Sequence, residues 1–467
     1  MKPFKGWYFL LFAITCVFGV LLLNEWVAVS APAAGYCPAD AQFIITSSDF
    51  GYFWTLLYLS DAGLALRHEV PLPLKDWELV VRHETGIRPT PIRWRVWLGR
   101  NLVASKSSEG FGICVYPGVL LRALELGRRL ATSLSLDSND SVDMFGNYYY
   151  AWHNGYLIVS RFKSFVLAVQ RGNEIPKKGL PDRTAIEIRY TGEPAWNVTL
   201  YAKNGLPYQG VVQARLVPAT GPLTLVHACP ERPLLSVNTS CWANLQFLRN
   251  VGKILIFKDD WRSLLGESWC HLLGKWQLGQ IQPNWDVGVT ELAFFVPSVD
   301  ITDGVPVPNM ALVLRSPRRV FGEHPLKSLV SDGIVLPMEW EGSPGVIAPL
   351  FGDRLALCLG QFDRDWYLAS SEKTMARLVG NLKRNTLLET DLLVELYYEQ
   401  LGTLLQSVME AWADAQFIPG KNAEELRADL TPWLAGMKRL GRFRLSAKAR
   451  GSETAIDGFL AECSIAE

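Results

Sequence analysis

The chain has 467 residues, 49% hydrophobic and 20% charged, and its 46 Lys and Arg balance 46 Asp and Glu to a formal net charge of zero. That length holds two or three globular domains with ordinary cores, and the composition is too apolar for a broadly disordered chain. A balanced charge lacks the basic excess of a nucleic-acid binder, so no nucleic-acid partner is expected.

Lys2 and Lys5, with no acid beside them, precede the uncharged apolar run from Trp7 to Leu23. This run is longer than a secretory h-region of about 7–15 residues and shorter than a spanning helix of about 20. Val27, Ala28 and Val29 extend it past Asn24 and Glu25. Residues 1–36 therefore read as a retained signal anchor or as a signal peptide cleaved among the small residues from Ala28 to Ala33. Both readings export the remainder, because the lysines hold the N-terminus on the cytoplasmic side. The expected location is an inner-membrane anchor with a periplasmic body, or a secreted body if the segment is cleaved. Neither Cys16 nor Cys37 sits in a good lipidation context.

Two stretches of the body echo each other in order, residues 37–222 and 228–467, with the boundary near the prolines Pro218, Pro222, Pro230 and Pro233. Phe43 to Ser48 precedes an aromatic helix from Tyr52, as Leu234 to Ser240 precedes a helix from Cys241. Lys75-Asp76-Trp77 and Asp259-Asp260-Trp261 each open an amphipathic helix. Ile92 to Arg100 alternates as a strand, with Arg93, Arg95 and Trp97 on one face. The clearest echo is YYYAWHNGYLIVSRFKSFVLAVQRGN, from Tyr148, against RLALCLGQFDRDWYLASSEKTMARLVGN, from Arg354. Each is a strand, a polar turn, a second strand and a short helix ending at Gly172-Asn173 or Gly380-Asn381, residues that tolerate a left-handed C-terminal position. Each copy then closes with a strand and a hairpin, the first turning at Asn204-Gly205. The second copy inserts two helices, about Glu399 to Gln416 and Ala423 to Leu440, the first with an apolar stripe of Leu401, Leu405, Val408 and Trp412. In Arg442 to Lys448, Phe443, Leu445 and Ala447 alternate with Arg442, Arg444 and Lys448. Period-2 hairpins dominate, which predicts an α+β fold: two diverged tandem copies of a mostly antiparallel sheet with helices on one face.

Local motifs for chemistry are missing. The six histidines form neither H-x-H nor H-E-x-x-H, and there is no C-x-x-C, so no metal is expected. Glu341-Gly342-Ser343-Pro344-Gly345 has the wrong glycine spacing for a nucleophile elbow, and Pro344 blocks the helix entry. Phosphate-cradling glycine loops are absent, so no cofactor is expected. Acids cluster at Asp137, Asp140 and Asp143, at Asp259-Asp260 and at Asp363 with Asp365, and the first set reads as a solvated loop without the glycine and distal Glu of an EF-hand. Cys229 and Cys241 are the closest pair able to bridge in an oxidising compartment, while Cys114, Cys358 and Cys463 read as small core hydrophobes.

Three features together, the N-terminal anchor, the start at Pro38-Ala39-Asp40, and the strand–turn–strand–helix signature around YLIVS and WYLASS, resemble a bacterial exported-protein family, domain of unknown function 3352. The resemblance implies an exported, often duplicated α+β domain and supplies no catalytic residues. The expected function is thus a membrane-tethered binding or scaffolding protein of the cell envelope, with an envelope protein or polysaccharide as partner. Arg93, Arg95 and Trp97 form the candidate binding surface, since aromatic and Arg residues dominate binding hot spots. The rival is an envelope hydrolase whose carboxylates converge in a cleft between the copies, and a third reading is a chaperone-like assembly factor with an apolar surface.

Overall fold

A computed structural model describes residues 36–69, 82–83, 90, 96–97, 99–132, 142–153, 155–171, 185–219, 221–225, 232–240, 244–245, 247, 290–302, 305–315, 335–340, 342–351, 355–362, 365–381, 387–416, 418, 420 and 422–463. The apolar run from Trp7 to Leu23 lies outside these residues. Among the described residues no helix is long and apolar enough to cross a membrane. The chain forms two compact units, one of Met1–Arg67 with Pro71–Gly210 and one of His68–Val70 with Val211–Glu467. The division falls ahead of the proline-rich stretch.

The first unit runs β1 (Phe43–Ser47), α1 (Phe50–Leu59), α2 (Asp61–Leu64), β2 (Leu102–Ser107), β3 (Gly110–Val115) and α3 (Val119–Thr132). It continues with β4 (Asp143–Phe145), β5 (Tyr148–His153), β6 (Tyr156–Ser160), α4 (Lys163–Arg171), β7 (Ala185–Tyr190), β8 (Trp196–Tyr201) and β9 (Pro207–Val212). Its sheet is antiparallel throughout, in the order β8–β7–β1–β2–β3–β6–β5–β4. Asp49 caps α1 by accepting the Tyr52 N–H at 3.0 Å, which satisfies one of the orphan donors of the first turn.

The second unit holds β10 (Leu235–Thr239), β11 (Glu291–Thr302), β12 (Val305–Arg315), β13 (Leu336–Trp340), β14 (Ser343–Phe351), β15 (Leu355–Phe362), β16 (Asp365–Ala369) and α5 (Glu372–Asn381). It ends with β17 (Leu392–Tyr397), α6 (Tyr398–Asp414), α7 (Ala423–Leu440), β18 (Arg442–Arg450) and β19 (Glu453–Glu462). The order is β19–β18–β17–β10–β11–β12–β16–β15–β14–β13, again antiparallel. An α+β architecture of mostly antiparallel sheet with a few helices is therefore what the sequence forms. In both units the first strand is central, flanked by the second strand of its unit and by a strand that returns much later in the chain.

The helices do not keep to one face, contrary to the sequence expectation. In the first sheet, Phe165, Val166 and Val169 of α4 share a core with Val103, Cys114, Ala151 and Ile158. Phe53, Trp54 and Leu57 of α1 pack on Ile186, with Ile45 and Ile188 beside them. Ile44 faces the α4 core and Ile45 the α1 core. Strands such as LVASKS are buried on both sides, and a strand with no wet face needs cover on each. In the second unit Met375, Leu378 and Val379 of α5 complete one core with Ala293, Phe295, Val313 and Tyr367. A second core holds Leu292, Leu314, Val346 and Trp366.

A strap of irregular chain, Ala214 to Leu225, is fastened onto the second sheet by side chains. The Thr454 hydroxyl donates to the Ala214 carbonyl and accepts the Leu216 N–H. Asn244 accepts the Val217 N–H at 2.8 Å and donates to its carbonyl at 3.1 Å. Buried Asp391 accepts the N–H groups of Ala219 at 2.6 Å and Ala449 at 2.7 Å. Leu216, Leu223 and Leu225 of the strap are themselves buried. Backbone polar groups on buried irregular chain need such partners.

Candidate functional site

The register of each sheet lines up a row of residues at one end of its strands. Ser47, Leu102, Val115 and Leu157 stand side by side across β1, β2, β3 and β6. Thr239, Leu292, Leu314 and Trp366 do so across β10, β11, β12 and β16. One residue further along are Asn101, Tyr116 and Tyr156 in the first unit, and Glu291, Arg315 and Asp365 in the second.

In the second unit this end is ionic. Arg315 forks onto Asp365, with Nε to Oδ1 at 2.8 Å and Nη2 to Oδ2 at 2.6 Å, the bidentate geometry that makes Arg–carboxylate pairs strong. Its Nη1 reaches Glu291 at 3.4 Å. Glu291 also accepts the Thr224 N–H at 2.6 Å, the Thr224 hydroxyl at 2.7 Å and the Leu225 N–H. Burial pushes the Glu291 carboxyl above its ordinary range, against the opposing pull of the Leu225 and Thr224 bonds and the Arg315 charge. The hydrogen bond to Asp365 holds the Arg315 guanidinium firmly protonated. Tyr367, whose hydroxyl lies 3.5 Å from Asp365, is pushed up by burial first and by the Asp365 charge second. The lone pairs of both acids are thus directed at partners inside the protein. Chemically the cluster fastens strand ends and strap; an acid or base would need a lone pair aimed at a substrate.

In the first unit the same end is aromatic. The Tyr156 ring lies 4.3 Å from Tyr36 and 5.5 Å from Tyr116 by centroids, and Tyr36 meets His153 edge-on at 6.1 Å. Arg122 stands over Tyr116 at 5.1 Å. Burial pushes the Tyr156 hydroxyl up to about 12, partly offset by its bond with Asn101.

The opposite end of the first sheet is exposed. Lys106, Phe111, Arg161, Tyr148 and Phe145 form one row, read from Lys106↔Phe111, Gly112↔Ser160, Tyr149↔Ser160 and Phe145↔Tyr148. Arg161 lies over the Tyr148 ring at 5.3 Å and donates to its hydroxyl at 3.2 Å. Phe145 is 80% exposed, Met144 66%, and Phe111 49%. Phe162, 51% exposed, rests its ring on Gly110, whose φ of +118° no bulkier residue adopts readily. Such a cluster is an apolar patch laced with cations, which marks interaction surfaces.

Of the residues singled out from sequence, Arg93 and Arg95 lie outside the described residues. Trp97 is half-buried, and with Val96 it is helical rather than extended. Its carbonyl accepts the Gly118 N–H at 2.9 Å, and Gly99, with φ of +72°, follows it, the left-handed residue that commonly ends a helix. A short alternating run does not separate strand from helix. Asp365 is in the ionic cluster and Asp143 opens β4; Asp137, Asp140, Asp259, Asp260 and Asp363 lie outside the described residues, as do Cys229 and Cys241. Cys114 and Cys358 are buried. Sequence reasoning missed Glu291 and Arg315. The signal was a charge closing each end of a long apolar strand, ELAFF and LVLR. It missed the Phe145 row too, because its members come from four strands and the residue just past a fifth. No protein-family model, curated protein or solved structure matches the chain.

Proposed function

We propose that this chain is a membrane-tethered, extracytoplasmic binding or scaffolding protein of the bacterial cell envelope, built from two diverged copies of one α+β domain. The observation that carries the binding reading is the exposed row of Phe145, Tyr148, Arg161, Phe111 and Lys106 with neighbouring Met144 and Phe162. Cations interleaved with aromatic faces suit a polysaccharide or a protein partner. The tandem reading is supported by strand order: β8–β7–β1–β2–β3–β6–β5–β4 matches β18–β17–β10–β11–β12–β16–β15–β14 position by position. In each unit a helix directly follows the strand paired to the third. The tether is supported by Lys2 and Lys5 before the apolar run.

The test has two arms. An alkaline-phosphatase fusion after Glu467 should be active, and a fusion active only as a cytoplasmic reporter overturns the export reading. The detergent-solubilised full chain should co-sediment with detergent-extracted, membrane-free cell-wall material or envelope proteins, and Phe145→Ser with Phe111→Ser should weaken that at least tenfold, about 1.4 kcal/mol. Both side chains are exposed, so the fold tolerates the change. Unchanged sedimentation removes the row from the binding surface.

A further inference from the structure

The stretch Tyr36 to Asp40 reaches the first sheet and is held at both ends. At its start the Tyr36 ring lies on Tyr156, the first residue of β6. At its end Asp40 accepts the Ser108 N–H at 3.0 Å, just past β2. These five residues therefore cross one face of the sheet from one end of the strands to the other. Cys114 on β3, opposite Ile158 on β6, points into that same face. Cys37, Cys114, Ile158 and Tyr156 belong to one core, and the two cysteines, free thiols here, are each 2% exposed. The other described cysteines, Cys358 and Cys463, are in the second unit. The Cys114 thiol is pushed well above its ordinary value, by burial first and then by the charge of nearby Cys37.

We infer that Cys37 and Cys114 are a dithiol pair that closes to a disulfide when the chain folds in an oxidising compartment, stapling the N-terminal lead to a central strand. The inference rests on the export reading for its cellular setting only. The oxidant is a small or protein disulfide, R–S–S–R. One cysteine thiolate attacks it and expels RS⁻; the second thiolate displaces the other RS⁻ from the mixed disulfide. Two Cys thiols and R–S–S–R become one cystine and two RSH, the protons passing to the released thiolates. Buried, protonated thiols are inert, so the bond forms while the segment is still docking. Once closed, a pull on the N-terminal tether is carried into β3 by a covalent bond instead of the ring contact and the Asp40 hydrogen bond.

The experiment refolds the full chain in detergent with a glutathione redox buffer, alkylates remaining thiols, and maps peptides without reduction. A Cys37–Cys114 linked peptide is expected, together with a thermal midpoint several degrees above that of the reduced protein, a shift lost in Cys37→Ser. Both cysteines recovered alkylated, or Cys37 joined to another cysteine, overturns the inference. The same mapping on cells separates the two readings. A bond formed in vitro but reduced in cells supports the pair and overturns export.

Discussion

Asn238 is buried in the second unit with its amide unsatisfied, and replacing it with valine should stabilise the unit. It is 0% exposed on the central strand β10. Neither its amide nitrogen nor its amide oxygen has a hydrogen-bond partner among the described residues. Its cross-strand neighbours are Ala293 and Leu393, both buried. At the matching position of the first unit, the Thr46 hydroxyl donates to Glu187 at 3.4 Å across the β1–β7 pair. Where that unit has Glu187 the second has Leu393, so the polar residue on this central strand faces no acceptor across the β10–β17 pair. An unsatisfied buried amide costs about 1–3 kcal/mol. Valine suits a central strand and fills most of the same space, so Asn238→Val should gain about 1–3 kcal/mol. At roughly 2–4 °C per kcal/mol for a unit of this size, the midpoint should rise by about 2–12 °C. Urea titration followed by amide hydrogen exchange in β10 and β11 isolates the second unit from the first. Asn238→Ala, which removes the amide but leaves a gap, should fall between wild type and valine. A loss above about 1 kcal/mol in the valine variant would mean that the amide is hydrogen-bonded in solution, and the reasoning fails.

Arg315→Met should cost about 2–3 kcal/mol in urea unfolding, because it strands Asp365 and Glu291 beside an apolar core; a loss under about 0.5 kcal/mol would show that solvent screens the cluster. Asn422→Ala should cost about 1 kcal/mol and fray α7, since Asn422 accepts the Glu425 N–H at 2.8 Å while Glu425 accepts the Asn422 N–H. Hydrogen exchange at the first turn of α7 reads it, and unchanged protection there would refute the cap. Tyr156 keeps its proton to about 12 in the folded chain against 10.0 ordinarily. Folding therefore binds a proton more tightly, and stability from this group is fully present below pH 10 and lost as pH rises towards 12, about 3 kcal/mol by linkage. Tyr156→Phe should flatten that alkaline loss, and equal slopes in the two proteins would refute the assignment.

Local chemistry was legible wherever a rule acts within a few residues. The helix Ala423–Leu440 stands within the bounds expected from sequence, and its Asn422–Glu425 capping box and the basic Lys438 and Arg439 in its last turn are local chemistry of the same kind. The alternation from Arg442 onward is a strand with Leu445 and Ala447 buried. The same alternation misread Val96 and Trp97, where two residues of a short run turn helical. The stripe on α6 was found, but Leu405 and Trp412 on it are 45% and 39% exposed. Periodicity reports that apolar residues share a face, not whether anything covers it.

What the sequence alone determined is the type of most elements, the mostly antiparallel α+β class and the scarcity of local catalytic motifs, because turns, caps and period-2 patterns are set by neighbours in the chain. Tertiary structure decided which strands meet. β1 lies between β2 and the distant β7, and β10 between β11 and the distant β17. The ladders β11–β12–β16 collect Glu291, Arg315 and Asp365 into one cluster, and β2–β3–β6–β5–β4 collect Lys106, Phe111, Arg161, Tyr148 and Phe145 into one exposed row, while Cys37 and Cys114 meet in one core. No spacing rule links each whole set, because hairpins align only neighbours such as Phe145 with Tyr148 and Lys106 with Phe111, while the pairings of β3 with β6 and of β12 with β16 join strands distant in the chain. Their register is chosen by burial on both faces of the sheet, a constraint that exists only once the sheet has formed.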